Sequence, residues 1–188
     1  KEIEQGLDAT THISWENLPA IADFVFIALH GGEGENGYVQ GTLEKLGLPY
    51  NGSGVAASAL CMDKYKTGQY LQPHGFAIPQ QYLLSKEAWT EQENALKTIT
   101  SIFKFPVIVK PFDDGCSVMV AKASNITNLS EALNDIFAHE KTHALIEEYV
   151  QGMELTVGVI GNEHPQALVP SQAVAADGIL SIEEKFLP

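Results

Sequence analysis

Lysines and carboxylates at the ends of apolar runs carry the chemistry open to this chain. Residues 106–110 (PVIVK) read as a β-branched strand that delivers Lys110 at its exit, and 113–117 (DDGCS) follow as a Gly-containing turn. A cation beside the backbone N–H groups of a turn suits a phosphate. The same lysine also fits a surface side chain snorkelling from a strand end. The segment is not a Walker A loop, because the chain has neither GxxxxGKS nor GxxxxGKT. Glu147 and Glu148 sit in an apolar strand, and Glu154 follows beyond it. Carboxylates so placed can accept from a ribose hydroxyl or an exocyclic amine, and they equally fit a solvated edge. His30 and Glu35 lie among Gly31, Gly32, Gly34 and Gly37. The two side chains could act as acid or base, while the glycines answer to tight turns.

Other reactive side chains give weaker signals. Cys61, beside Met62, reads as buried helix packing, and Cys116 as a loop thiol without a paired histidine, a poor nucleophile. His139 and His143 are four apart, but the second falls past the helix end, so the spacing does not make a zinc site. Two cysteines make no disulfide framework and fit a reducing cytosol. A net charge of −13 argues against a nucleic-acid binder, which carries a basic face. No run reaches the roughly 18–20 apolar residues of a membrane span, and no secretory signal is visible.

These side chains need elements to hold them. Residues 24–29 (FVFIAL) read as a buried strand emptying into the Gly-rich loop. Val39, Leu43 and Leu46 give a short amphipathic helix stopped by Gly47. After the turn at 51–54, a helix marked by Val55, Ala59 and Met62 leads to Asp63-Lys64, and 64–72 is again helical. Residues 78–84 predict a strand, 87–103 a helix, and 118–121 a return strand pairing with 106–110. Asn128, with Glu131 three residues on, predicts a capped helix bearing Leu129, Leu133, Ile136 and Phe137. Residues 144–150, 155–160 and 166–169 predict strands. The order is mixed α/β and α+β: a βα-type half, then a half rich in antiparallel strands.

Taken together, the segments HGGEGENG, QGTLE, LPYNGSG, SALCMDK, PVIVKPFDDGCSV and LIEEYVQGME run in order from His30 to Glu154. In this order and spacing the chain resembles the D-alanine–D-alanine ligase family. The resemblance implies an ATP-grasp fold, here incomplete at both ends. It implies residues 1–60 as the remainder of an N-terminal substrate-side domain, 61–150 as a central ATP-grasp domain and 151–188 as the start of a C-terminal one. It implies a cytoplasmic ATP- and Mg-dependent ligase acting on D-alanine in peptidoglycan precursor synthesis, as a homodimer. By resemblance, Lys64 and Lys110 contact the ATP phosphates. Glu147, with the backbone near Tyr149 and Val150, holds the adenine, and Glu154 the ribose. Glu35 supports the first-substrate region near His30, the loop of Cys116 and Ser117 lies near substrate, and Lys185 reaches the phosphates.

The chain departs from the family pattern at three places. Cys116 stands where the family has serine, and Met119 where it has glycine beside the phosphates. A thiol is a weaker donor and a methionine is bulky where backbone must approach. Phe186 and Ile182 replace residues that are often tyrosine, which opens D-lactate as a second substrate. Both ends read as cut, so the Mg²⁺ ligands are expected beyond Pro188 and the piece alone is expected to be inactive. A degenerate, non-catalytic copy is the rival expectation.

Overall fold

The computed structural model describes residues 12–174, and the chain divides into two compact units, residues 1–60 and 61–188. In the first, a 3-10 turn over Trp15–Ala20 precedes the segment expected to be a buried strand. That segment is not a strand. It makes one parallel bridge, Val25 to Tyr50, and Phe24, Phe26 and Leu29 are exposed. The reason is local: the Asn51 side chain takes the place of a ladder partner. Its Oδ1 accepts from Ile27 N at 2.6 Å, and its Nδ2 donates to Ile27 O at 3.3 Å. Val25 and Ile27 alone turn inward, against Val39, Leu43 and Leu48.

Two helices follow, α1 (Gly32–Glu35) and α2 (Tyr38–Leu46). Gly37 and Gly47 flank α2 in the left-handed region, at φ 95° and 70°, which glycine enters without a Cβ penalty. At Gly37 a side chain would also strike backbone, since a Cβ would lie 2.8 Å from Val55 O. Helix α3 (Val55–Met62) crosses the division between the units. Its Cys61 is exposed, contrary to the packing role expected of it.

The second unit starts with α4 (Lys64–Leu71), capped by the Asp63 carboxylate, which accepts from Lys66 N at 2.9 Å. The elements that follow are β1 (Gln81–Ser85), α5 (Lys86–Trp89), α6 (Gln92–Ile102), β2 (Val107–Pro111), β3 (Ala121–Ala123), α7 (Ile126–Ala138) and β4 (His143–Glu148). The four strands form one antiparallel sheet in the order β1-β4-β2-β3. Two details differ from expectation. The single helix expected over 87–103 is two, α5 and α6, separated at Thr90 and Glu91. The α7 cap is Asn125, whose side chain accepts from Asn128 N at 3.0 Å. Asn125 sits directly before the apolar periodicity and satisfies an N–H that the first turn leaves open.

Period-2 alternation gives the sheet two distinct faces. Leu84, Val107, Val109, Ala123, Ala144 and Ile146 point to one side and pack with Ile99 of α6 and with Leu129, Leu133 and Ile136 of α7. Gln81, Ile108, Lys110 and Glu147 occupy the alternate positions, on the face turned away from α6 and α7. Beyond the sheet, β5 (Glu154–Thr156) pairs with β8 (Ser171–Ala173), and β6 (Val159–Ile160) with β7 (Gln166–Ala167). The strand expected over 155–160 is thus broken at Val157 and Gly158.

Candidate active site

The face of the sheet opposite α6 and α7 forms one wall of a cleft of about 550 Å³. Lys64, Lys110, Cys116, Ser117, Glu147, Tyr149, Val150 and Glu154 all line it. Eight residues singled out from the sequence therefore meet in one cavity. Ile108, Val118, Val120 and Met153 add apolar surface. Glu35 belongs to the other unit, where its carboxylate accepts from Gly31 N at 2.8 Å and ties the glycine turn to α1. Lys185, Phe186 and Ile182 lie outside the described residues.

Strand register explains the charged centre. Glu147 faces Gln81 of β1 on one side and Ile108 of β2 on the other, and Lys110 faces Leu145. Lys110 is thus the diagonal neighbour of Glu147, a separation that long side chains span. Its Nζ meets Glu147 Oε2 at 2.5 Å, with the two side chains only 20% and 11% exposed. The other oxygen, Oε1, accepts from Gln81 Nε2 at 2.7 Å. The second lysine arrives from α4. Lys64 N donates to Phe112 O at 2.9 Å, which fixes the start of that helix at the end of β2, and Lys64 Nζ donates to Asp114 O. Burial lowers the Lys64 pKa, and the nearby charge of Lys110 adds to the effect, against the pull of Asp114, Asp113 and Glu147.

The loop between β2 and β3 is anchored by Asp114 and is conformationally unusual. Asp114 Oδ2 pairs with Lys141 Nζ at 2.8 Å, and Oδ1 accepts from Gly115 N at 2.9 Å. Burial works to raise the Asp114 carboxyl, but the hydrogen bonds from Lys141 and Gly115 and the charges of Lys141 and Lys64 outweigh it, so the net shift is downward. A carboxyl lowered on folding adds stability above its unfolded value of 3.8, and that stability is lost as pH falls through the lower folded value. Lys141→Met should therefore reduce the unfolding free energy at neutral pH by up to about 1 kcal/mol, since the pair is still partly exposed, at 28% and 26%, and screened by solvent. Urea titrations should show the deficit shrinking below pH 3.8. An equal deficit in acid would mean that the pair is not its source.

Cys116, Ser117 and Met119 all have left-handed backbones, with φ of 56°, 59° and 53°. Non-glycine residues held there cost of order 1 kcal/mol or more each, and such strain gathers at binding sites. Met119 was expected to crowd the phosphate region. Instead it packs against the core of the sheet and is not among the residues lining the cleft. The strained backbone turns its side chain away.

Sequence reasoning missed two residues at this site. Gln81 was read only as part of a strand, and nothing local in the sequence signals its register against Glu147. Lys122 went unremarked. Its Nζ lies 3.8 Å from the centroid of the Tyr149 ring, a cation–π contact that steadies one cleft residue. Among the described residues, no group of three or more His, Cys, Asp or Glu is placed to hold a metal ion. None of their helices is long and apolar enough to cross a membrane.

A face with two lysines, paired acids and apolar walls, on an antiparallel sheet backed by helices, defines part of an ATP-grasp fold. Two family models match the chain: "D-ala D-ala ligase N-terminus" over residues 2–53 and "D-ala D-ala ligase C-terminus" over 70–188. The chain belongs to the D-alanine–D-alanine ligase family. The D-alanine–D-alanine ligase of Pelotomaculum thermopropionicum is 36% identical over 187 residues, covering 98% of this chain and 57% of that protein. That of Desulforudis audaxviator is 37% identical over 166 residues, covering 88% and 53%. Among solved structures, the D-alanine–D-alanine ligase of Coxiella burnetii aligns with a TM-score of 0.73 at 30% identity, covering 89% of this chain and 47% of that one. The VanG D-Ala:D-Ser ligase of Enterococcus faecalis aligns with a TM-score of 0.72 at 30% identity, covering 80% and 43%. The chain spans about half the length of the relatives it matches.

Proposed function

We propose that the protein carrying this chain is an ATP-dependent D-alanine–D-alanine ligase that works in the cytoplasm on peptidoglycan precursors. The observation that carries this reading is the convergence of Lys64, Lys110, Glu147 and Glu154 on one cleft in a member of this family. A cleft of about 550 Å³ lined by two lysines, carboxylates and apolar side chains suits a nucleoside triphosphate. Lys64 and Lys110 neutralise its phosphates. Glu147 and the backbone at Tyr149 and Val150 take the base, and Glu154 takes the ribose. Cys116 and Ser117 border the transferring phosphate, and Glu35 supports the first substrate's region.

The family resemblance implies a reaction in two steps. A D-alanine carboxylate oxygen takes the γ-phosphoryl group, releasing ADP and leaving an acyl phosphate. The amine of a second D-alanine then attacks the acyl carbon, and phosphate departs. Charge neutralisation by fixed cations and placement of the amine are what the protein supplies. The described residues do not fit a magnesium site.

The test is D-alanine-dependent release of ADP and phosphate by the full-length protein, with D-lactate and D-serine offered in parallel as second substrates. Release with D-alanine alone supports the peptide ligase. Release only with D-lactate assigns a depsipeptide ligase instead. Absence of turnover with every substrate sinks the ligase reading.

A further inference from the structure

We infer that Gln81 and Gly68 act as a positioning pair for the Glu147 carboxylate, setting the aim of the group that reads the nucleotide base. The inference rests on the nucleotide reading above and adds two residues to it, neither of which belongs to the expected site.

The hydrogen bonding of Gln81 is one-sided. Nε2 donates to Glu147 Oε1 at 2.7 Å and lies 3.5 Å from Lys64 O, whereas Oε1 is buried without a partner. A buried amide oxygen left unpaired is costly. Turning the amide over would be worse, since it would bring Oε1 against the carboxylate oxygen of Glu147, acceptor on acceptor. The amide is therefore held by what its donor does for Glu147.

Gly68 makes room for that amide. A Cβ there would lie 2.3 Å from Gln81 Oε1, 2.9 Å from Cδ and 3.1 Å from Nε2. Glycine in the middle of the eight-residue helix α4 is a poor helix former, so a close approach accounts for it where propensity does not. Together the pair closes one side of the carboxylate. Oε1 is taken by Gln81 and Oε2 by Lys110, and each oxygen keeps a second lone pair for a donor in the cleft. Without Gln81, Glu147 is held by Lys110 alone and follows that flexible side chain.

Isothermal titration of the full-length protein with ATP and with GTP tests this, using Gln81→Met, Gly68→Ala and the double variant. Gln81→Met keeps the length of the side chain and removes the amide. ATP affinity should fall about tenfold, the scale of one hydrogen bond to a charged group. The preference for ATP over GTP should narrow, and KM for D-alanine should hold. Gly68→Ala should give a similar loss by displacing the amide, although alanine favours the helix. Because both act through one contact, the double variant should be no worse than either single one. Additive losses, or a lower Tm with the ATP to GTP ratio unchanged, overturn the inference. If the parent binds ATP and Gln81→Met binds it equally, this inference alone falls. If the parent binds no ATP, the nucleotide reading falls and takes the inference with it.

Discussion

Replacing Lys110 with methionine should cut D-alanine-dependent ADP release by the full-length protein at least about a hundredfold, the scale of removing one preorganised charge donor from a transferring group. The same change should also destabilise the fold, and the two losses can be separated. Lys110 Nζ lies 2.5 Å from Glu147 Oε2, and the side chains are 20% and 11% exposed. Removing the ammonium strands a largely buried carboxylate, which costs roughly 3 kcal/mol or more where no water reaches it and less beside an open cleft. Pairing Lys110→Met with Glu147→Gln removes both charges. The Gln81 amide can still donate to the new amide oxygen, so urea unfolding should show most of the lost stability restored. ATP titration should show no recovery, because the double variant has neither the phosphate cation nor the base-reading carboxylate. Restored nucleotide binding in the double variant would mean that Lys110 serves the fold and not the phosphates.

The sequence revealed this pair only in part, and strand geometry explains the limit. Alternation in 106–110 and 144–148 was legible as apolar runs, and it is what puts Lys110 and Glu147 on one face. Which strands are neighbours was not legible. That β4 lies between β1 and β2 depends on long-range pairing, and local propensity carries no record of it. Gln81 was overlooked for the same reason, since its significance appears only once β1 is set in register against Glu147.

Motif order did better than local structure. Eight of the ten residues assigned by resemblance line one cleft, although the strand expected over 155–160 is broken in two and residues 24–29 form no strand. A family pattern records which side chains must converge. Apolar runs record only burial, and a run such as FVFIAL reads as a strand whether or not a ladder partner stands beside it. The Asn51 amide is a substitution of that kind, a side chain doing a strand's work. Left-handed backbone at Cys116 and Met119 was equally out of reach, because neither residue type signals it.

ATP affinity should fall as pH rises, and should do so before an ordinary lysine titrates, because of Lys64. Burial chiefly lowers its pKa in the folded protein, with Lys110 second, below the usual 10.5. In the window between the folded value and 10.5 the unfolded chain binds more protons, so this group alone makes folding more favourable as pH rises. Nucleotide binding has the opposite slope. A polyphosphate in the cleft favours the charged ammonium, raises its pKa again and draws in a proton, so affinity is lost as the proton becomes scarce. Lys64→Met should weaken ATP binding by about tenfold to a hundredfold at neutral pH, one charge-assisted contact being worth roughly 1.5–3 kcal/mol, and should flatten the pH profile. Lys64→Arg should flatten it as well, since guanidinium stays charged throughout, while keeping part of the affinity because its fork replaces a point charge. Titrations from neutral pH to about pH 10 decide the matter. If parent and Lys64→Met lose affinity in parallel, the titrating group lies elsewhere. If only the parent loses it, the ammonium that burial disfavours is the one that the phosphates restore.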